Sequence, residues 1–260
     1  MGDALPVGSR LNKPMPTGSF ITQPRRGGRN WRYTYSGYEA MLQDRPHDRN
    51  RDDDLAQSRA SDAACELHGR FMLWVDGVGG YLVCLQDAVC LGLATPGNAV
   101  AIPIMGDLSR RHARLRREDG YVIEPLQAVR VNGRPIRSTT ALSDGDEIEL
   151  GEGVRLRFRQ PHALSATARL EFLSRHRTEP SAVGILLMAE SCVLGPKWQD
   201  HVVCRQWAHD VVLFRRDERL FCRTLEPLEV NGRRCEGQAP IAPGSHVEGS
   251  DFSFCLQQVV

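Results

Sequence analysis

One short run of the sequence contains residues whose chemistry suits the binding of an anion. Ser109, Arg110, Arg111 and His112 are consecutive, and they follow a polar turn that begins at Gly106. Hydroxyl and guanidinium groups donate hydrogen bonds to phosphate or carboxylate oxygens, and the guanidinium bonds are charge-assisted. The sequence therefore predicts an anion-binding loop at this position.

The surrounding residues predict antiparallel β-structure that would hold this loop. Apolar and charged residues alternate over 113–116, which is the period of a half-buried strand. The pair Asn132 and Gly133 indicates a hairpin, because both residue types accept positive φ. Residues 142–151 again pass from a polar turn to an alternating strand.

The order of these motifs resembles that of a forkhead-associated (FHA) domain. The matching motifs are Gly92, Ser-Arg-Arg-His at 109–112, Val-Asn-Gly at 131–133, Leu-Ser-Asp-Gly-Asp-Glu-Ile-Glu-Leu-Gly at 142–151, and Phe158. The resemblance implies a β-sandwich whose loops bind phosphothreonine peptides. We predict such a domain over residues 67–161.

The resemblance also implies roles for single residues. In the family, phosphate is bound by an arginine after the early glycine, by the serine of Ser-x-x-His and the basic residue that follows it, and by an asparagine in a Ser-x-Asn-Gly loop. Ser109 and Arg110 match two of these positions, and Arg111 and Arg130 are further candidates for the same pocket. The residues expected to support the loops are Gly92, His112, Asn132 and Gly133.

Two departures from the family pattern leave the function open between two hypotheses. Leu93 follows the early glycine where the family has arginine, and residues 124–130 lead into the hairpin without a Ser-x-Asn-Gly loop. The first hypothesis is a module that recognises phosphothreonine-containing or acidic peptides through the loops around Ser109. The second is a phosphate-independent structural scaffold that keeps the FHA fold.

The second half of the sequence repeats the first in degenerate form. The offset is 103 residues from Gly92 to Gly195 and 99 from Asn132 to Asn231. Counting 99 residues onward from Ser109 and His112 reaches Ala208 and Val211, so we expect the second copy to lack the phosphate loop. We predict an all-β protein with two FHA-like (SMAD/FHA) antiparallel β-sandwiches in tandem, the second over residues 181–260, joined by a connector at 162–180.

Residues 1–66 differ in composition from the rest of the chain. They are rich in proline, glycine, arginine and aspartate, and they show little apolar periodicity. Such a segment cannot bury enough apolar surface to offset its ordering entropy. We predict a largely disordered or loosely ordered N-terminal tail.

Composition and motif content argue against several other functions. The net charge of +1 gives no bulk attraction to nucleic acid or to a membrane surface. The eight cysteines never form Cys-x-x-Cys, and the histidines lack ligand spacing, so we expect no metal and no cofactor. No catalytic motif occurs, and we expect a non-catalytic protein without a small-molecule substrate, whose partner is a protein or phosphoprotein. The first 24 residues lack the apolar core of a signal peptide, and no run approaches a membrane helix, so we expect a cytoplasmic location.

Overall fold

The structure is a computed structural model that describes residues 69–162 and 165–259. The tail predicted over residues 1–66 lies outside the described residues. Every regular element within the described ranges is a β-strand. In these same ranges no helix is long and apolar enough to cross a membrane.

The strands follow one another with short turns. The strands of the first half are β1 (Arg70–Val75), β2 (Gly79–Cys84), β3 (Ala88–Leu93), β4 (Ile102–Met105), β5 (Ala113–Arg117), β6 (Tyr121–Pro125), β7 (Val129–Val131), β8 (Arg134–Ile136), β9 (Thr140–Leu142), β10 (Glu147–Leu150) and β11 (Val154–Arg159). The later strands are β12 (Ala168–Phe172), β13 (Arg177–Thr178), β14 (Gly184–Leu187), β15 (Ser191–Gly195), β16 (Val202–Val203), β17 (Val211–Arg216), β18 (Arg219–Arg223), β19 (Leu228–Val230), β20 (Arg233–Cys235), β21 (Gln238–Ile241), β22 (His246–Glu248) and β23 (Ser253–Gln258).

These strands form three sheets. A twelve-stranded sheet, called the shared sheet below, has the order β20-β19-β22-β23-β1-β2-β14-β12-β11-β10-β7-β8. The first outer sheet has six strands in the order β13-β4-β3-β5-β6-β9. The second outer sheet has five strands in the order β16-β15-β17-β18-β21. The shared sheet contains strands from both halves of the chain, and the first outer sheet also includes the two-residue β13 from the later strands.

The shared sheet joins the two halves through pairings that cross the expected domain boundary. At its centre β2 and β14 are parallel, with Tyr81 beside Gly184 and Cys84 beside Leu187. Next to this pair, β1 is antiparallel to β23 on one side, and β12 is antiparallel to β11 on the other. The structure therefore differs from the two separate sandwiches expected in tandem, because one continuous sheet serves both halves.

Two hydrophobic cores lie on opposite faces of the shared sheet. Along β1, Phe71 and Leu73 lie in the core under the second outer sheet, whereas Met72 between them lies in the core under the first. Successive side chains of a strand point to opposite faces, so the two cores, called the first and second core below, are separated by the sheet itself. Leu82 and Val83 of β2 divide in the same way. The central strands are thus buried on both faces.

The segment 162–180, which the sequence suggests is a connector, contains two strands. β12 lies within the shared sheet between β11 and β14, and β13 pairs with β4 at the edge of the first outer sheet. Ala168 and Leu170 of β12 are fully buried in the first core. The apolar alternation that marks β12 spans only five residues, which is too short to separate a strand from a loop by pattern alone.

We expect the two cores to unfold together, because β1, β2 and β14 contribute side chains to both. Leu82→Ala removes apolar volume from the first core, and Leu73→Ala removes it from the second. Each should lower the free energy of unfolding by about 2–5 kcal/mol and shift one common transition. The measurement is urea denaturation followed by circular dichroism, which reports on all strands, and by tryptophan fluorescence, to which Trp207 in the second core contributes. A Leu82→Ala variant that changes the circular dichroism midpoint alone would contradict this expectation.

The buried His201 predicts a loss of stability in acid. Its Nδ1 accepts a hydrogen bond from the Val193 backbone N–H at 3.0 Å, and its Nε2 lies 3.1 Å from Ser165 Oγ. Burial is the main cause that lowers the pKa of His201 from 6.5 to about 4, and the nearby positive charges of His162 and Arg169 contribute to the same shift. Because the pKa of His201 is lower in the folded state than in the unfolded state, folding favours the neutral imidazole. The stabilisation that neutral His201 provides is complete above pH 6.5 and is lost as the pH falls towards 4.

The loss should be on the order of 3 kcal/mol, because each unit of pKa difference corresponds to about 1.4 kcal/mol. His201→Asn keeps an acceptor near the Nδ1 position but does not titrate. The free energy of unfolding of this variant should therefore decrease less than that of the wild type between pH 7 and pH 4. Equal decreases in the two proteins would show that His201 does not titrate on unfolding.

Candidate functional site

Three loops meet at one end of the first outer sheet. They are the β3–β4 loop (94–101), the β4–β5 loop (106–112), called the Ser109 loop below, and the β6–β7 loop (126–128). The Leu93 N–H donates to the Ser109 carbonyl at 3.0 Å, and the Leu126 and Gln127 N–H groups donate to the His112 carbonyl at 3.1 and 3.0 Å. Backbone hydrogen bonds thus fix the Ser109 loop against its neighbours on both sides.

Gly92 allows the Ser109 loop to approach β3 closely. A Cβ at this position would overlap the carbonyl oxygen of Arg110 and crowd the Cα of Arg111. Any other residue would push the loop away from the strand. The glycine is therefore required by the path of the loop backbone, not by a positive φ.

His112 connects the Ser109 loop to the β6–β7 loop through its buried ring. The side chain is 4% exposed. Nδ1 accepts a hydrogen bond from the Ser109 N–H at 3.3 Å, and Nε2 donates to the Ala128 carbonyl at 2.9 Å. These two bonds define the neutral tautomer with the proton on Nε2. Both ring nitrogens are occupied, so this histidine positions the loop and does not face a ligand.

Asn98 is a positioning residue that the sequence analysis did not identify. Its Nδ2 donates to the Leu93 carbonyl at 2.7 Å and to the Arg110 carbonyl at 2.8 Å. One amide group therefore ties the β3–β4 loop to the Ser109 loop directly beneath Arg110. The available sequence signal is the Gly97–Asn98 turn, which gives no indication of which carbonyls the amide would reach.

Ser109, Arg110 and Arg111 present their side chains to solvent at the surface of these loops. Within residues 69–162 and 165–259, neither arginine forms an ion pair, and the serine hydroxyl has no hydrogen-bond partner. Arg114, just beyond the loop, instead pairs with Glu124 at 3.3 Å. The unpaired donors are therefore concentrated on the Ser109 loop, which matches the chemistry of anion binding.

Arg130 is not part of this group. It lies in the middle of β7 between Val129 and Val131, both of which are buried in the first core. Alternation along the strand turns Arg130 to the opposite face, where its cross-strand neighbour is Glu149 of β10. Arg130 therefore lies on the face of the shared sheet that is turned away from the first outer sheet, and its role in the pocket stays a prediction.

Asn132 and Gly133 form the hairpin between β7 and β8, with φ values of 52° and 76°. The Asn132 side chain accepts from the Glu147 N–H at 3.0 Å and donates to Asp146 at 2.8 Å. Ala128 precedes β7 and this hairpin follows it, so the two lie at opposite ends of the strand. Asn132 and Gly133 stabilise their own end of the sandwich and not the Ser109 loop.

The departures from the family pattern have visible structural counterparts. Leu93 is partly buried and packs against the first core, so no guanidinium extends from this position. The β6–β7 connection is only residues 126–128, which leaves no room for a Ser-x-Asn-Gly loop. The site therefore has the serine and the basic residues of the family pattern but not its early arginine or its asparagine.

The corresponding end of the second outer sheet has different chemistry. Leu194 pairs with Val211 as Leu91 pairs with Ala113, so by register Trp207 and Asp210 occupy the positions of Ser109 and His112. Across this loop the offset between the two halves is therefore 98 residues and not 99. It returns to 99 after β17, because four residues separate Arg215 from its partner Leu220, whereas three separate Arg117 from its partner Tyr121.

In the second half two carboxylates lie beside the glycine that corresponds to Gly92. A Cβ on Gly195 would overlap the carboxylate of Asp210 and approach that of Asp200. Lys197 is already paired with Asp210. Burial raises the pKa of the Asp200 carboxyl. The two carboxylates disfavour an anion beside Gly195.

The described ranges contain no group of three or more His, Cys, Asp or Glu side chains that could hold a metal ion. This observation covers residues 69–162 and 165–259 only.

The comparison with protein families identifies the part of the chain that carries this site. Residues 91–151 match the model of the FHA domain. The matched range begins in β3, ends directly after β10 and contains the whole Ser109 loop. The FHA match thus covers the first outer sheet almost completely and stops before the second half.

Two solved structures are similar to parts of the chain. One is Mycobacterium tuberculosis EmbR in complex with a low affinity phosphopeptide, at 24% identity and a TM-score of 0.27, covering 42% of this chain and 30% of that chain. The other comes from a structural and functional analysis of phosphothreonine-dependent FHA domain interactions, at 26% identity and a TM-score of 0.24, covering 32% of this chain and 88% of that chain. The chain thus spans less than a third of EmbR. No curated protein matches the chain.

In the Ser109 loop we expect residues that position the backbone and residues that present exposed donors to differ in their effect on stability. His112→Ala should lower the free energy of unfolding by about 2–4 kcal/mol, because it leaves the Ser109 N–H and the Ala128 carbonyl without partners. Ser109→Ala removes an exposed hydroxyl and should change stability by less than about 0.5 kcal/mol. Thermal and urea unfolding of the two variants provide the measurement. Similar destabilisation by both would assign Ser109 a structural role.

Proposed function

We propose that this protein is a non-catalytic interaction module that binds phosphothreonine-containing or acidic peptides through the Ser109 loop. The observation that carries the proposal is the group of three unpaired donors, Ser109, Arg110 and Arg111, on a loop whose backbone is fixed by His112 and Asn98. A loop whose backbone is already fixed loses little backbone entropy on binding. The match to the FHA domain model over the same residues supports phosphate recognition by this loop.

The missing donors define how strong this binding should be. Leu93 removes one charge-assisted guanidinium bond, which is worth about 2 kcal/mol or roughly thirtyfold in affinity. The absent asparagine loop removes a further neutral donor. We therefore expect a phosphopeptide affinity below that of a site with the full set of donors, and a larger share of the binding energy from Arg110 and Arg111.

The alternative function is a phosphate-independent scaffold that keeps the FHA fold. The observation that favours it is Leu93, which packs against the first core where the family pattern has an arginine. The scaffold would bind an unphosphorylated protein surface. The two functions differ in one measurable property, which is the dependence of binding on the phosphate.

We further propose that the segment with strands β1–β11 and the segment with strands β12–β23 descend from one duplicated unit, of which the second copy is degenerate. The strand order in the shared sheet supports this, because the order outward from β2 is β1-β23-β22-β19-β20 and the order outward from β14 is β12-β11-β10-β7-β8. On this proposal the two copies have exchanged their first hairpins. β1 and β2 complete the sandwich of the second outer sheet, and β12 and β14 complete that of the first.

Calorimetric titration of the full chain with a pool of phosphothreonine peptides tests the proposed function. We expect binding of the phosphorylated pool only, weakened by roughly tenfold or more in Ser109→Ala and in Arg110→Gln. Arg130→Gln is the matched control, because it removes a similar charge from the opposite face of the sheet and should leave the affinity unchanged. Equal binding of the phosphorylated and unphosphorylated pools would replace this proposal by the scaffold function.

A further inference from the structure

The outward face of the second outer sheet carries a regular arrangement of phenylalanine and arginine. Leu213, Leu220 and Cys222 are buried in the second core, so the residues that alternate with them point away from it. The residues of this arginine–phenylalanine face are Phe214 and Arg216 of β17 and Arg219, Phe221 and Arg223 of β18. Phe214 is directly opposite Phe221, and Arg216 is opposite Arg219.

The two rings and two of the guanidinium groups form a stack. The Phe214 and Phe221 rings are 5.4 Å apart with an interplanar angle of 19°. The Arg216 guanidinium lies 4.5 Å from the Phe221 ring centroid, and that of Arg223 lies 5.7 Å from the Phe214 centroid. Stacking on a ring restricts a guanidinium group while leaving its N–H edge available for hydrogen bonds. Arg216 and Arg223 are thus pre-organised donors.

The turn between β17 and β18 carries two exposed acidic residues, Asp217 and Glu218, neither of which pairs with an arginine of this face. Arg216, Arg219 and Arg223 are exposed, and none of them forms an ion pair with any residue of 69–162 or 165–259. The neighbouring outward positions on β15, β17 and β21 are all uncharged. They are Ser191, Val193, Val212, Gln238 and Pro240.

The first outer sheet provides an internal comparison. Its outward face also carries arginines on the equivalent central strand, but Arg114 pairs with Glu124 across the strands at 3.3 Å and Arg116 pairs with Glu118 at 3.2 Å. By register, Arg223 of the second sheet occupies the position that Glu124 occupies in the first. The second face therefore has a cation where the first has the anion that neutralises it.

We propose that the arginine–phenylalanine face docks an acidic peptide segment of a partner protein. Three uncompensated guanidinium groups beside an apolar row of Phe214, Phe221 and Pro240 complement a segment that carries both carboxylates and apolar side chains. The rings stack on each other and are covered by guanidinium groups, so their faces are not free to stack on bases. That arrangement favours carboxylates over single-stranded nucleic acid, whose binding uses open aromatic faces.

This docking face is independent of the Ser109 loop. The two outer sheets cover opposite faces of the shared sheet, so the phosphopeptide site and the acidic docking face belong to different sandwiches. One partner chain or two could occupy them at the same time. The proposal does not rest on phosphate recognition by Ser109.

Calorimetric titration of the full chain with a short synthetic peptide of alternating glutamate and threonine tests this proposal. We expect the affinity to fall roughly tenfold or more in the double variant Arg216→Gln with Arg223→Gln, because two charge-assisted donors are lost. The matched control is Arg114→Gln with Arg116→Gln on the equivalent face of the first outer sheet, which should leave the affinity unchanged. A further double variant, Arg110→Gln with Arg111→Gln, measures any binding of the same peptide at the Ser109 loop, and the tenfold effect of the Arg216 and Arg223 substitutions should be the same in that background. Unchanged unfolding midpoints would show that all three double variants are folded.

Four results would overturn the docking proposal. They are no measurable binding by the wild type, equal affinity of the Arg216/Arg223 variant and the wild type, loss of binding only in the Arg110/Arg111 variant, and tighter binding of oligothymidylate than of the glutamate peptide. Phosphothreonine binding measured on the same variants keeps the two proposals separate. It should persist in the Arg216/Arg223 variant and fail in the Arg110/Arg111 variant.

Discussion

The parallel pair of β2 and β14 holds the two halves of the described chain in one sheet, because β2 belongs to the first half and β14 to the second. Residues 81–84 and 184–187 are buried without interruption. This is the pattern of strands covered on both faces. An antiparallel pair at this point would reverse one half. In the parallel pair both strands run in the same direction, so the chain leaves β2 and β14 at the same end of the shared sheet. The loops after β3 and β15 therefore lie at one end of the molecule.

At that end the two halves share a glycine at the end of the corresponding strand, but the groups that lie beside the glycine differ. In the first, a close approach of backbone at Gly92 and two side-chain clamps, Asn98 and His112, fix a loop whose outer donors stay free. In the second, the space beside the equivalent glycine is filled by the carboxylates of Asp200 and Asp210. A fixed backbone is common to both. The charge placed on it decides which half can hold an anion.

Local patterns in the sequence predict the strands and the Ser109 loop, but not the partners of the strands. Alternation over two or three apolar positions identifies β5, β10 and β11, and the Asn-Gly pair identifies the hairpin at residues 132–133, because both signals are properties of neighbouring residues. The pairing of β1 with β23 joins residues that are far apart in the chain, and no local pattern contains that information. Arg130 shows the same limit at the scale of one residue. Its type suits phosphate binding, but its direction depends on which face of β7 is buried.

The continuity of the shared sheet limits how the gene could be divided. A chain that ended at residue 161 would lose Ala168, Leu170, Ile185 and Leu187, all of which are buried in the first core beneath the sheet that carries Ser109. Neither half could be transferred to another protein by recombination near that point and still keep its core covered. The half that carries Ser109 is therefore inherited together with the other half, which is kept even if selection acts on the Ser109 half alone.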